Sequence, residues 1–233
     1  GTLDSYLVAL DARTGAVRWE AKVADYKVGH CITVAPLAVK DKIIVGISGA
    51  SGFQYGLEAL RLLKKAGYET HLVMSKGADL TRQHETSLSR SDVEQLADVS
   101  YSPAALGASI SSGSFRTLGM IIAPCSMRTL AAIASGVTDN LVTRAADVVL
   151  KERRRLVLLA RETPLHLGHL RNMQAVTEYG AIVFPPVPAI YAGPKTADEI
   201  IKHSVARAIG LLGVDSSELP RWGETLPSIS IEK

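Results

Sequence analysis

The chain has 233 residues, of which 47% are apolar, 21% charged and 5% aromatic, a composition that supports a sizeable core in one domain plus extras or in two small domains. A net charge of +3 is too small to imply nucleic acid, 19 Gly and 10 Pro show no collagen period, and no run approaches the ~18 uncharged apolar residues of a membrane span. Gly1-Thr2-Leu3-Asp4 lacks the basic and apolar regions of a signal peptide, and Cys31 and Cys125 cannot make a disulfide framework, so the expectation is a soluble, cytoplasmic, mixed α/β protein with no membrane or nucleic-acid partner.

Two short β-like runs come first, Tyr6-Leu-Val-Ala-Leu10 and Val17-Arg-Trp-Glu-Ala-Lys-Val23, separated by the turn-forming Asp11-Ala-Arg-Thr-Gly15. They predict one antiparallel hairpin, which is marginal in water without a partner surface. The phrase Ala9-Leu-Asp-Ala-Arg-Thr-Gly-Ala-Val-Arg-Trp19, followed by Ile32-Thr-Val-Ala-Pro-Leu37, resembles one blade of a pyrroloquinoline-quinone (PQQ) alcohol dehydrogenase propeller. A propeller needs many blades and no second copy follows, so residues 1–39 read as a fusion remnant or extension without quinone chemistry.

From Lys40 onward, buried strands alternate with amphipathic helices. Strands are expected at 43–47, 70–74, 120–123, 156–160 and 181–184, and helices at 53–66, 130–134, 141–153 and 167–179. Leu57, Leu60 and Leu63 make the apolar face of the first helix, and Gly67 closes it. A polar stretch spans 82–102. Thr196-Ala-Asp-Glu199 is a capping box that opens a last helix ending near Gly213. This order predicts a doubly wound, mostly parallel Rossmann- or flavodoxin-like sheet in a domain of residues 40–233, with the N-terminal hairpin as an extension.

In such sheets ligands bind at the carboxyl ends of the strands. Those ends carry Gly49-Ala-Ser51, Ser75, Ser126-Met-Arg-Thr129 and Arg161-Glu-Thr163. Gly49-Ala-Ser-Gly52 opens a helix, and free amides beside a glycine turn suit an anion, although a tight turn needing glycine explains the motif equally well. A second, basic constellation suits a separate phosphate: Arg144 and Lys151 on one helix face, Arg161 after an apolar strand, Arg207 beside Ile200 and Leu211, and Tyr191 on a proline-pinned loop. His166 and His169 read as surface or helix-cap residues, Cys125 as a small buried hydrophobe, and Ser48 lacks the last glycine of a nucleophile elbow.

Longer blocks carry a family resemblance. Gly46-Ile-Ser-Gly-Ala-Ser-Gly52, Met74-Ser-Lys76, Ser111-Ser-Gly-Ser114, Pro124-Cys-Ser-Met-Arg-Thr-Leu130 and the run from Asn140 to Arg154 occur in order, followed by Arg161-Glu-Thr-Pro164, His169-Leu-Arg-Asn-Met173, Pro185-Pro-Val-Pro-Ala-Ile-Tyr191 and Pro220-Arg-Trp-Gly-Glu224. From about Lys40 to Glu224 the chain resembles the UbiX-type flavin prenyltransferases.

The resemblance implies that reduced FMN is joined at N5 and C6 to a dimethylallyl group from dimethylallyl monophosphate, giving prenylated FMN for UbiD-type decarboxylases, without a metal. It implies FMN contacts at Gly49, Ala50, Ser51, Ser75, Ser126, Met127, Arg128, Thr129 and Arg161. The prenyl phosphate would meet Arg144, Lys151, Tyr191 and Arg207, with Glu162, Glu85 and Trp222 as further catalytic residues. It also implies a homo-oligomer, up to a dodecamer, with sites at subunit interfaces. The sequence leaves two rivals of the same fold, an FMN-binding accessory subunit and an FMN-dependent cysteine decarboxylase. The latter family places Met-Asn after the proline where this chain has Cys125-Ser-Met-Arg128.

Overall fold

In the computed structural model, residues 6–10, 16–22, 27 and 41–214 are described. Contacts divide the chain into two units, Gly1–Val39 and Lys40–Lys233. In the first, β1 (Tyr6–Leu10) pairs antiparallel with β2 (Val17–Lys22), in a register running from Tyr6 opposite Lys22 to Ala9 opposite Trp19. The expected hairpin is therefore present; its turn at 11–15 lies outside the described residues.

The second unit is built on a six-stranded sheet. Its strands are β3 (Lys42–Ile47), β4 (Glu69–Met74), β5 (Val99–Tyr101), β6 (Gly119–Cys125), β7 (Arg155–Ala160) and β8 (Ile182–Val183), in the order β5-β4-β3-β6-β7-β8. Every adjacent pair is parallel. The helices are α1 (Phe53–Lys65), α2 (Lys76–Glu85), α3 (Arg90–Glu94), α4 (Met127–Ala134), α5 (Leu141–Lys151), α6 (Leu167–Glu178) and α7 (Ala197–Gly210).

The strands read as unbroken apolar runs because both of their faces are covered. Ile43, Val45, Ile121 and Leu159 join one buried cluster with residues of α1 and α7, while Ile44, Met120, Ile122 and Leu158 join the other with residues of α4, α5 and α6. The two faces thus carry different helices, and charged side chains on α5 and α7 start from opposite sides of the sheet.

The 82–102 stretch is more ordered than its polarity suggests. It holds the end of α2, α3 and the edge strand β5. Their signals are weak because α2 buries only Ala78, α3 buries only Val93, and β5 has three residues. Capping, not apolar periodicity, marks these helices: Ser75 opens α2, and Ser89 with Asp92 forms a reciprocal capping box on α3. α4 begins at Met127, earlier than the apolar pattern shows, because Ser126 caps it. The box expected at α7 is only half formed. Thr196 accepts from Glu199 N–H, but the Glu199 carboxylate turns to Lys195 N–H, one residue before the cap.

α1 lies unusually close to the sheet at Gly56. A Cβ there would sit 2.5 Å from Ile47 Cδ1 and 2.6 Å from the carbonyl oxygen of Ala123. In an exposed helix, Gly→Ala gains ~1 kcal/mol; here overpacking against backbone reverses the sign. Gly56→Ala is expected to destabilise the fold by about 1–3 kcal/mol, read as a lower midpoint in urea unfolding. A raised midpoint would contradict the close packing.

Candidate active site

The carboxyl ends of β3, β4, β6 and β7 lie side by side, and buried hydrogen bonds lock two of them together. Ser48, fully buried after β3, donates from Oγ to the Pro124 carbonyl at 2.9 Å and accepts from Ser126 N–H at 2.7 Å. Its hydroxyl is a brace between the β3 turn and the start of α4. At the next turn a Cβ on Gly49 would fall 2.9 Å from the Gly77 backbone, so the loops after β3 and β4 meet main chain to main chain. Only glycine permits that approach.

Beside this contact lies a cavity of about 550 Å³ lined by Gly49, Ser75, Lys76, Ser126, Arg128 and Asn140 among others. Three helix amino ends open onto it, each capped by its own side chain. Ser75 accepts from Ala78 N–H at 3.0 Å on α2, and Ser126 from Thr129 N–H at 3.3 Å on α4. Asn140 accepts from Val142 and Thr143 N–H at 2.9 and 3.2 Å on α5. Converging positive dipole ends, with Lys76 and Arg128 on the rim, favour an anion. Arg128 pairs with Asp139 at 2.8 Å, and hydrogen bonds from Asn140 and Arg128 hold the Asp139 carboxyl below its ordinary range.

The amino end of α1, where the sequence suggests an anion site, is already filled by the protein's own carboxylate. Glu85, at the end of α2, accepts from Gly52 N–H at 2.8 Å and from Phe53 N–H at 2.8 Å, while Gln54 donates to its backbone carbonyl at 3.1 Å. Burial pushes the Glu85 carboxyl up. Hydrogen bonds from the Ser51 side chain and the Phe53 and Gly52 amides, with the Arg161 charge, outweigh it and set the group below its ordinary value. Ser51, Gly52, Tyr55, Glu85 and Arg161 line a second cleft of about 450 Å³ with α7 residues. Glu85 thus occupies the Gly52 and Phe53 amides that follow Gly49-Ala-Ser51, while Gly49 itself lines the first cavity.

The other expected residues are distributed as follows. Ala50 is buried, and Met127 packs partly buried against the core beneath α4. Tyr191 and Arg207 line a third cavity of about 500 Å³ with Phe184, Val187 and His203. Lys151 instead pairs with Glu152 and lines a cleft of about 910 Å³ with Asp147 and Tyr179. Arg144 pairs with Asp147 at 2.9 Å and donates to the Ser111 carbonyl at 3.3 Å. One chain thus does not gather Arg144 and Lys151 with Tyr191 and Arg207, because α5 and α7 pack on opposite sheet faces. Glu162 is exposed beside Arg161 and accepts from Thr163 N–H at 3.0 Å. Trp222 lies outside the described residues.

His166 caps α6 through Gly168 N–H at 3.0 Å. Cys125 is fully buried and burial pushes its thiol up to about 12, which leaves it protonated and unreactive. Among the described residues no cluster of three His, Cys, Asp or Glu could hold a metal. Sequence reading misses Lys76, Asn140 and His203 as lining residues; of these only Asn140 has a local signal, an Asn directly before the apolar-periodic Leu141-Val142.

Two expectations follow. Ser48→Ala leaves the Ser126 amide without its partner, while the Pro124 carbonyl keeps the Ser48 N–H at 3.2 Å, and is expected to cost about 1–3 kcal/mol in denaturant unfolding; an unchanged midpoint would refute the brace. A carboxyl lowered in the folded state stabilises above its unfolded pKa and loses that contribution as pH falls through the folded value. Stability should therefore drop below about pH 4.5, the ordinary Glu85 value. Glu85→Gln should flatten that part of the pH–stability curve, and an equally steep curve would remove Glu85 from the account.

With this geometry in place, comparison with known proteins gives a consistent answer. The family model described as Flavoprotein matches residues 34–209. The flavin prenyltransferase UbiX of Neisseria meningitidis serogroup B is 60% identical over 181 residues, covering 78% of this chain and 96% of that protein. The crystal structure of AnUbiX (PadA1) in complex with FMN and dimethylallyl pyrophosphate superimposes with a TM-score of 0.78 at 49% identity, over 79% of this chain and 98% of that one. A dodecameric FMN-dependent UbiX-like decarboxylase from Escherichia coli O157:H7 gives a TM-score of 0.75 at 52% identity, over 78% and 98% of the two chains. This chain belongs to the UbiX-type flavin prenyltransferase family.

Proposed function

We propose that this chain transfers a dimethylallyl group from dimethylallyl monophosphate to reduced FMN, and that the prenylated FMN serves a UbiD-type decarboxylase. The carrying observation is the separation of anion sites. Three capped helix ends surround one cavity, Glu85 fills the α1 amino end, and Tyr191 with Arg207 line a third, distinct cavity. The residues present fit FMN. Gly49 and Gly77 meet backbone to backbone without side chains at the cavity wall, and Lys76 and Arg128, which line the same cavity, would hold the phosphate of FMN. The flavin ring would then be held against Ser51, Glu85 and Arg161.

Bound in its reduced form, the flavin supplies the nucleophilic N5 and C6. The chain does the rest. The allylic C–O bond breaks with its electron pair leaving on phosphate, and Arg207 and Tyr191 stabilise the charge that grows there. Lys151 and Arg144 complete this subsite from a neighbouring copy, a role for them that the single chain leaves open and that a dodecameric assembly supplies. Glu162, exposed beside Arg161, hands the departing phosphate a proton or takes one back. Trp222 offers a π face to the allylic cation, a contact worth ~0.5–2 kcal/mol. Holding the cation against the ring removes much of the entropic barrier.

Residues 1–39 are read as an extension outside this chemistry, whose likeness to a quinoprotein blade carries no quinone function. We read the protein as acting in the cytoplasm; separately, no described helix is long and apolar enough to cross a membrane.

Anaerobic incubation with reduced FMN and dimethylallyl monophosphate should yield a flavin heavier by one prenyl unit in mass spectrometry; unchanged FMN would favour the accessory-subunit reading. Arg207→Ala should keep bound yellow FMN and lose product by at least 100-fold, whereas loss of FMN itself would move Arg207 into the flavin site.

A further inference from the structure

We propose that His203 is a positioning residue of the prenyl-phosphate subsite: its ring backs the Tyr191 phenol edge-on and sets that hydroxyl against the Arg207 guanidinium. The inference rests on the function proposed above, and it adds a residue that neither the motifs nor the family resemblance assigns.

His203 and Arg207 are four residues apart on α7, hence one turn apart on the same face. Tyr191 arrives from the short 3-10 turn Ile190–Ala192. The His203 and Tyr191 rings meet at 6.1 Å between centroids and 86° between planes, an edge-to-face contact, and all three side chains line one cavity. Tyr191 is half exposed. A phenol in that position has other staggered rotamers open to it unless a neighbour blocks them, and the imidazole is that neighbour.

The nitrogen atoms tell what the ring is for. His203 Nε2 is buried and makes no hydrogen bond. A buried polar atom without a partner disfavours its residue, so no hydrogen bond through Nε2 explains why a histidine stands here. Burial first, and the nearby Arg207 charge second, keep the imidazole below its ordinary pKa. The ring is thus a neutral wall, which neither repels the Arg207 guanidinium nor competes with it for phosphate. An aromatic ring of the same shape without nitrogens should serve as well.

The test compares the full wild-type chain with His203→Ala and His203→Phe. The measurements are KM for dimethylallyl monophosphate, kcat for prenylated flavin, and the FMN dissociation constant from flavin fluorescence. His203→Ala should raise the donor KM about 5- to 10-fold while FMN affinity stays within about 2-fold. His203→Phe should return KM to within about 3-fold of wild type. A donor KM unchanged in His203→Ala overturns the proposal, as does His203→Phe failing as badly as His203→Ala, which would put the work on a nitrogen. FMN affinity falling in parallel with KM also overturns it, since that marks general damage to the fold. If His203→Ala does not fold, the Phe variant decides alone: a near-normal KM supports the positioning role and a strongly raised one refutes it. A wild-type chain that binds FMN yet yields no heavier flavin overturns the proposed function together with this role, whereas a productive wild type with altered expectations only in the variants overturns the role alone.

Discussion

The carboxylate of Glu85 seated on the amino end of α1 governs where everything else in the site can go. In many doubly wound sheets the first strand-to-helix turn is the natural place for a ligand phosphate. Here the Gly52 and Phe53 amides are already donated to Glu85, and the Arg161 charge adds to the hold. A dianionic phosphate would have to displace that carboxylate or sit against it, and like charges at contact repel strongly. In the function proposed above, the phosphate of FMN goes instead to the cavity where α2, α4 and α5 present capped amino ends. On that reading the flavin ring would face Ser51, Glu85 and Arg161; the Ser48 brace holds the β3 and β6 loops together.

Much of this was legible in the sequence, and what was not has identifiable causes. Strands β3, β4, β6 and β7 stand out because a parallel strand buried on both faces needs apolar residues at every position, as in Ile43-Ile-Val. The hydroxyl-bearing strand ends at Ser75 and Ser126 were visible too, since each directly follows such a run. The resemblance names Glu85, but its seat on the amino end of α1 was not legible, because its partner Gly52 lies 33 residues away and the contact obeys no local spacing. The Ser48 brace spans 78 residues and is equally silent. α2, α3 and β5 escaped because each buries almost nothing, and periodicity reports burial.

The basic constellation shows the limit of helical spacing as evidence. Arg144 and Lys151 do share a face of α5, as a seven-residue step requires, but α5 covers one side of the sheet and α7, bearing Arg207, covers the other. Spacing along one helix says nothing about which helices meet. In the single chain Arg144 and Lys151 satisfy their charges locally on Asp147 and Glu152. Both carboxylates are partly exposed, so these pairs are weak. In the function proposed above they yield to a prenyl phosphate at a site shared with a neighbouring copy.

The central claim concerns the phosphate of FMN, and a crystal structure of the FMN complex tests it most directly. The account predicts that phosphate among Ser75, Ser126 and the Asn140-capped end of α5, with the Glu85 carboxylate still accepting from Gly52 and Phe53 N–H. A phosphate found on the Gly52 and Phe53 amides, with Glu85 swung away, would contradict it.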